Sequence, residues 1–263
     1  MGQGEEKPIR VYLCKDSLEG ILSAVYMAYM SRYGHPWIRI AEGENRNYEL
    51  FCQYETVETD LSHAVSVAES VKTKISYDAW HILSQAALHE RQGKAQDIYR
   101  FLNYGYVMGG KVIDFLKCDP VRRVVYDSKT VAREKDRLMG FVRFSQLKDG
   151  SLFGRIAPKH NQIPLLARHF ADRFPEERWI LYDERRKLAA VHVPEKGFYL
   201  LHREIRREET ESNYSAEEIQ MKNWWNSFFD AIGIDARENR KLQQQMMPLY
   251  YQKYMHPFET SKK

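Results

Sequence analysis

The stretch GRIAPKHNQIPLLARHFADRFPEERWILYDERRK, residues 154–187, decides the fold. Its middle, residues 163–174, carries apolar residues at helical spacing, and the segments on either side read as strands. His169 lies three residues after Leu166 and four after Leu165, so it faces the interior with them as a core histidine. Arg173, four residues further on, shares that face and requires an acidic partner or a phosphate. Asp183 and Glu184 on the next strand are available, and a structural ion pair is the expectation. His160 sits just ahead of the helix in PKHN, where it can fix the turn, hold a phosphate or shuttle a proton.

Outward from this unit, FVRFSQL and LFGRIAP flank KDGS, and Asp149-Gly150 between alternating runs signals a hairpin. RWILYDE, KLAAVHVP and GFYLLHRE read as a strand meander. REIRREETESN is an exposed, charged link. Two helices close the chain, around AEEIQMKNWWNSFFDAIGI and ARENRKLQQQMMPLYYQKYM. Trp224, Trp225, Phe228, Phe229 and Ile232 form a broad apolar face on the first of these. Base stacking or a subunit contact is open to such a face, but core is the expectation.

Toward the start, IRVYLC reads as a strand with Val11 and Leu13 on one side and Tyr12 and Cys14 on the other. KDSLEGILSAVYMAYMSRYG follows as a helix, capped by Asp16 or Ser17. PWIRIAE and YELFCQYETV are short strands joined by polar residues. Three amphipathic helices come next, in HAVSVAESVKTKI, SYDAWHILSQAALHER and KAQDIYRFLNYGYVMGGKVIDFL, with Ser76 as cap of the middle one. GYVMGGK lacks the spacing of a phosphate loop and reads as a tight helix junction. DSKTVAREKDRLMG is a further helix. Strands and helices occur in separate blocks, which predicts an α+β fold with a mainly antiparallel sheet, several flanking helices and a helical C-terminus. Residues 1–263 are expected to form one domain, with sub-division at most into 1–60, 61–140 and 141–263.

Of the 263 residues, 43% are apolar and 29% charged, a soluble globular balance with material for a real core. No apolar run is long enough for a bilayer, and the start lacks the order of a secretory signal. Glu6 stands where a myristoylation signal needs Ser or Thr. Cys14, Cys52 and Cys118 are dispersed and odd in number, which predicts a reducing cytoplasm and neither disulfides, a zinc site nor an iron–sulfur cluster. No metal and no cofactor are expected. No Ser-His-Asp, Cys-His or paired-carboxylate pattern appears. Asp16 and Asp183 join His160 as candidate acid–base residues, with helix capping sufficient to explain Asp16.

Between Lys117 and Arg143 stand eight basic and four acidic residues, and the excess of four equals the whole chain's net charge of +4. Lys129, Arg133 and Arg137 are spaced by four and form one helical stripe. They can grip a phosphate backbone, or Glu134 and Asp136 can neutralise them.

The order VAREKDRLMGFVRF, DG, PKHNQIPLLARHFADRF, YDERR, WWNSFFDAIGIDAREN and MMPLYY, with VYLCKDSLEGILSAVYMAY at the start, resembles a bacterial family described as DNA metabolism proteins. The resemblance covers nearly the whole chain. It implies a DNA repair or modification protein that binds DNA and acts with a radical SAM protein encoded beside it. A similar domain is fused to a uracil-DNA glycosylase-like domain in some bacteria. A nucleic-acid hydrolase or glycosylase-like enzyme, and a scaffold that binds only the protein partner, are the alternatives. Glu134, Arg137, Gly140, Phe141, Arg143 and Phe144 match the central motif. Asp136 departs from it, because the family has histidine there. Pro158, His160, Ala167, Phe170, Arg173, Phe174 and Trp179 match the next, and Asp16, Gly20, Trp225, Arg237, Pro248 and Tyr251 match toward the ends. Lys129, Arg133, Arg137, Arg143 and Arg173 are the expected nucleic-acid contacts.

Overall fold

The computed structural model describes residues 7–43, 49–232 and 239–255. The chain divides into two compact units, residues 1–133 and 134–263. The architecture is α+β, as expected, with two sheets.

In the first unit, β1 (Ile9–Cys14) is followed by α1 (Leu18–Met30), β2 (Ile38–Glu42) and β3 (Cys52–Thr56). Both β2 and β3 pair with β1 in parallel, in the order β2-β1-β3. The mainly antiparallel sheet that was expected is that of the second unit, and this smaller parallel sheet stands in addition to it. The signal lies in β1, where four consecutive residues, Val11–Cys14, are all buried. A strand covered on both faces belongs in a parallel sheet, whereas a half-exposed one alternates. Ser17, not Asp16, caps α1, its hydroxyl accepting the Gly20 N–H at 3.0 Å. Gly20 is required there, because a Cβ would stand 2.4 Å from the Lys15 carbonyl oxygen. Three helices follow, α2 (Leu61–Lys74) packed on α1, α3 (Tyr77–Ala86) packed on α2, and α4 (Lys94–Met108) packed on β2. Asp60 caps α2, and Ser76 caps α3 as expected. Gly109, at φ +62°, ends α4 before a 3-10 turn, so GYVMGGK is the helix junction that its spacing suggested. The core gathers Ile21, Ile38, Leu83, Ile98, Phe101 and Val121, all essentially inaccessible.

Helix α5 (Asp119–Phe141) contains the unit boundary. The second unit continues with β4 (Phe144–Gln146), β5 (Leu152–Ile156), α6 (Ile163–Arg173), β6 (Trp179–Asp183), β7 (Leu188–Val193) and β8 (Gly197–His202). Its sheet runs in that strand order, antiparallel except where β5 and β6 pair in parallel across α6. The expected hairpin joins β4 to β5, with Gly150 at φ +82°, and the meander β6-β7-β8 is present. Ile163, Leu166, Ala167 and Phe170 on α6 bury against Trp179, Leu181 and Ala190. Each large apolar side chain so covered contributes about 1.5–3 kcal/mol. The alternate residues Phe153, Tyr182 and Ala189 pack on the opposite face.

After β8 come α7 (Arg207–Glu211), α8 (Ala216–Ile232), α9 (Arg240–Met246) and α10 (Leu249–Gln252). The charged link therefore contains one short helix. Pro248 separates the last two segments, where one closing helix had been expected. Among the described residues no helix is long and apolar enough to cross a membrane.

The aromatic face of α8 corrects the expectation of core. Trp224 is 60% exposed, Trp225 48% and Phe228 53%. Instead the polar residues Glu218, Lys222 and Asn226 are the half-buried ones.

Candidate nucleic-acid interface

On β5, side chains alternate between the two faces of the sheet. Ile156 joins the core beneath α6, so Phe153 and Arg155 point to the other side. There Arg155 lies over the rings of Phe153 and Tyr182, its guanidinium carbon 5.5 and 5.1 Å from their centroids. The guanidinium donates to the Ile205 carbonyl at 3.1 Å, the Arg206 carbonyl at 3.2 Å and the Thr210 hydroxyl at 2.8 Å. It thereby ties the segment after β8 across the sheet. That segment also docks on β4, where Ser215 N–H donates to the Gln146 carbonyl and Lys148 N–H to the Asn213 carbonyl.

Between these elements lies a small cleft of about 40 Å³, open to solvent and well below the size of an enclosed small-ligand site. Four cations line it, Arg143, Arg155, Arg207 and Lys222, against a single carboxylate, Glu211. Arg143 donates to the Gly140 and Val142 carbonyls at 2.8 and 3.0 Å. Among the described residues Arg143 has no carboxylate partner, and Arg155 forms no ion pair and acts on the Glu184 carboxyl only through its charge. Tyr214 and Tyr254 supply aromatic walls, with Lys222 3.7 Å and Arg207 5.5 Å from their respective ring centroids. Deeper in, Glu184 accepts the Tyr254 hydroxyl at 2.7 Å and lies 3.7 Å from Arg207. Burial works against its ionisation. The Tyr254 hydrogen bond and the charges of Lys253, Arg207 and Arg155 outweigh that and hold its carboxyl below the usual range. Burial, with the Glu184 carboxylate, drives the Tyr254 hydroxyl the other way.

Of the residues singled out in the sequence, Arg143 alone lines this cleft. Arg155, Arg207, Lys222, Tyr214 and Tyr254 were missed. Arg155 had a readable signal, since its place in the β5 alternation sets it opposite the α6 core.

The residues of the central motif do something else. Glu134 is buried and accepts the N–H of Lys159 at 2.7 Å, the N–H of His160 at 2.9 Å and the Gln162 amide at 3.1 Å. It thus cannot neutralise the basic stripe, as the sequence had allowed; Asp136 pairs with Lys135. Lys129, Arg133 and Arg137 all lie on α5 and are exposed. The loop that Glu134 holds is gripped from its other side by Arg186, which donates to the Pro158 carbonyl at 2.9 Å and the Lys159 carbonyl at 2.6 Å. Tyr250 donates its hydroxyl to the Ala157 carbonyl. His160 is buried inside this clamp.

Asp183 is fully buried and accepts Arg186 Nη1 at 3.0 Å and the N–H groups of Arg185 and Arg186. Burial raises its pKa in spite of those donors. The expected Arg173 pair with Asp183 or Glu184 does not form, because both carboxylates are engaged elsewhere. Arg173 is exposed, with its guanidinium over the Phe174 ring. His169 is partly buried, edge-on to Phe170. Arg237 lies outside the described residues.

In the first unit, Asp16 pairs at 2.6 Å with Lys94, a lysine 1% exposed at the start of α4. Glu42 accepts the N–H groups of Gly93 and Ala95 at 2.9 and 2.6 Å, filling that helix terminus with a carboxylate of the chain itself. Arg91 bridges Asp97 and Asp127, and Arg123 closes on Asp97 at 2.6 Å. These charges satisfy one another. Among the described residues no three His, Cys, Asp or Glu side chains gather as a metal site.

The family model of a domain of unknown function, DUF4130, matches residues 92–256, more than half of the chain. No curated protein matches. A solved structure titled as the DHH domain of a member of a family of ribosomal proteins is similar at 9% identity. It covers 73% of this chain and 75% of its own, with a TM-score of 0.33.

Proposed function

We propose that this chain, which belongs to the DUF4130 family, binds a nucleic-acid strand through the cleft of the second unit. The observation that carries the reading is the pair Arg143 and Arg155. Both guanidiniums are held by neutral oxygens and face the cleft, beside Arg207 and Lys222, which pair with Glu184 and Glu218. A phosphate is the partner that such donors lack. Tyrosine walls beside cations suit an unpaired strand, whose bases expose faces for stacking. The exposed stripe Lys129, Arg133 and Arg137 adds sequence-independent attraction along α5.

In this reading the protein positions DNA for repair or modification, and the covalent step falls to the radical SAM partner that the motif resemblance implies. The motif residues Glu134, His160 and Asp183 serve the clamp that holds the loop after β5.

The test is binding of a labelled single-stranded oligonucleotide and its duplex over a range of salt concentrations. Arg143→Glu leaves the fold intact, since Arg143 is exposed. It is expected to weaken single-strand binding and to lower the salt slope by roughly one unit for each phosphate no longer neutralised. Unchanged affinity and slope in the folded variant overturn the assignment of the cleft.

A further inference from the structure

Helix α8 is amphipathic with its sides reversed. Glu218, Lys222 and Asn226, spaced by four, are its half-buried face. Glu218 accepts the Gln146 N–H at 3.1 Å, and the Lys222 ammonium lies over Tyr214. The opposite face carries Met221, Trp224, Trp225, Phe228 and Ile232, each about half exposed. Side chains of this size bury roughly 150–250 Å² when fully covered, so five half-exposed ones present roughly 500 Å² of apolar surface. That is near the upper end for the largest patch on a monomer, roughly 300–600 Å². It is also most of the roughly 800 Å² that each partner contributes to a standard interface.

The order of residues says which partner fits. Trp224 is the midpoint of the helix, eight residues from Ala216 and eight from Ile232. Reading outward from the Trp224–Trp225 pair, the third residue in one direction is Met221 and in the other Phe228. The central four residues of the apolar stripe are therefore the same read from either end, while Ile232 falls opposite Glu217. When one helix lies antiparallel on a copy of itself, Trp224 meets Trp225 and Met221 meets Phe228, each pairing occurring twice. A two-fold interface sets each residue against its mirror position, and here that places an apolar side chain against an apolar side chain at all four central positions. Met against Phe is also a favourable sulfur–aromatic contact. From this we infer that α8 is a homodimerisation helix, covered by α8 of a second copy in antiparallel orientation. The inference is independent of the nucleic-acid reading.

The experiment is sedimentation velocity on the full chain over a wide concentration range, for the unmodified protein and for Trp224→Glu. A dimer in the unmodified chain, dissociated at least tenfold more readily in the folded variant, is the expected result. Register is tested by cross-linking in a background with the native cysteines replaced by serine. Met221→Cys protein mixed with Phe228→Cys protein should form a disulfide dimer in high yield, and each alone in low yield. A chain that is monomeric throughout overturns the inference. So does a dimer that Trp224→Glu leaves unaffected, or cross-linking equal in the mixed and separate samples. Loss of oligonucleotide binding in a monomeric Trp224→Glu variant, with the unmodified chain also monomeric, makes the stripe a base-stacking surface instead.

Discussion

Glu134 and His160 are joined at 2.9 Å through the carboxylate of one and the backbone N–H of the other, and both residues are buried. The same carboxylate takes the N–H of Lys159. Helix α5 thus supplies the acceptors for a loop whose Pro158 and His160 are buried. Removing them strands two buried donors, the His160 N–H and the Gln162 amide, and each buried donor left without a partner costs about 1–3 kcal/mol. Glu134→Ala should therefore lower stability by about 2–5 kcal/mol, and Glu134→Gln by roughly half as much, since one carbonyl acceptor survives. Denaturant unfolding of the two variants measures this. Equal, small losses would mean that the loop finds other partners.

Asp16 and Lys94 form a pair whose two ends differ in exposure. Asp16 is about half exposed and can return to water when its partner is removed, whereas Lys94 cannot. Asp16→Asn is expected to cost roughly 3 kcal/mol, the low end for breaking a buried pair, and Lys94→Met distinctly less. The reverse ranking in thermal or denaturant unfolding would contradict this account of the pair.

The neighbours Glu184 and Asp183 should bend the pH–stability curve in opposite senses. The Glu184 carboxyl is held below its ordinary value of 4.5. Its contribution is present above that pH and is lost as pH falls through the folded value. The stability gap between the unmodified chain and Glu184→Gln should then shrink on acidification. Asp183 is shifted upward from 3.8. Its contribution is present below that pH and is lost as pH rises through the folded value, so the gap to Asp183→Asn should widen on acidification. Unfolding curves taken between about pH 3 and 7, a window that spans ordinary carboxylate values, decide both signs.

Lys129 and Arg133 are exposed on α5, and neither forms a side-chain hydrogen bond or ion pair with another described residue. Replacing both by Ala should change stability by no more than about 0.5 kcal/mol. If the stripe meets a phosphate backbone, the salt slope of oligonucleotide binding should fall by roughly one unit for each cation so removed. Arg137 is a separate case, because it interacts with the Tyr251 hydroxyl and opposes the rise in its pKa caused by burial. An unchanged slope in the folded Lys129→Ala, Arg133→Ala variant makes the stripe a solvated face.

Local pattern was enough for the elements of the second unit. Asp149-Gly150 marked the β4–β5 turn, the alternation in RWILYDE and KLAAVHVP marked β6 and β7, and the apolar spacing of residues 163–174 marked α6. These features depend on residues a few positions apart, and the hydrogen-bond and side-chain geometry of a turn or helix is set at that range. Ser76 as a helix cap was readable for the same reason.

The cleft was not readable. Arg155 reaches Thr210, Glu184 takes a proton donor from Tyr254, and Arg186 closes on Lys159. Whether a charge is neutralised or left facing a cleft depends on carbonyls and carboxylates that folding brings together from distant positions. The same limit explains α8. Its sequence shows two faces of opposite polarity, but only packing against β4 and the preceding segment selects the polar one for burial. The tryptophans are left in solvent because Glu218 and Lys222 find a backbone N–H and a tyrosine ring inside, partners that no helical repeat encodes.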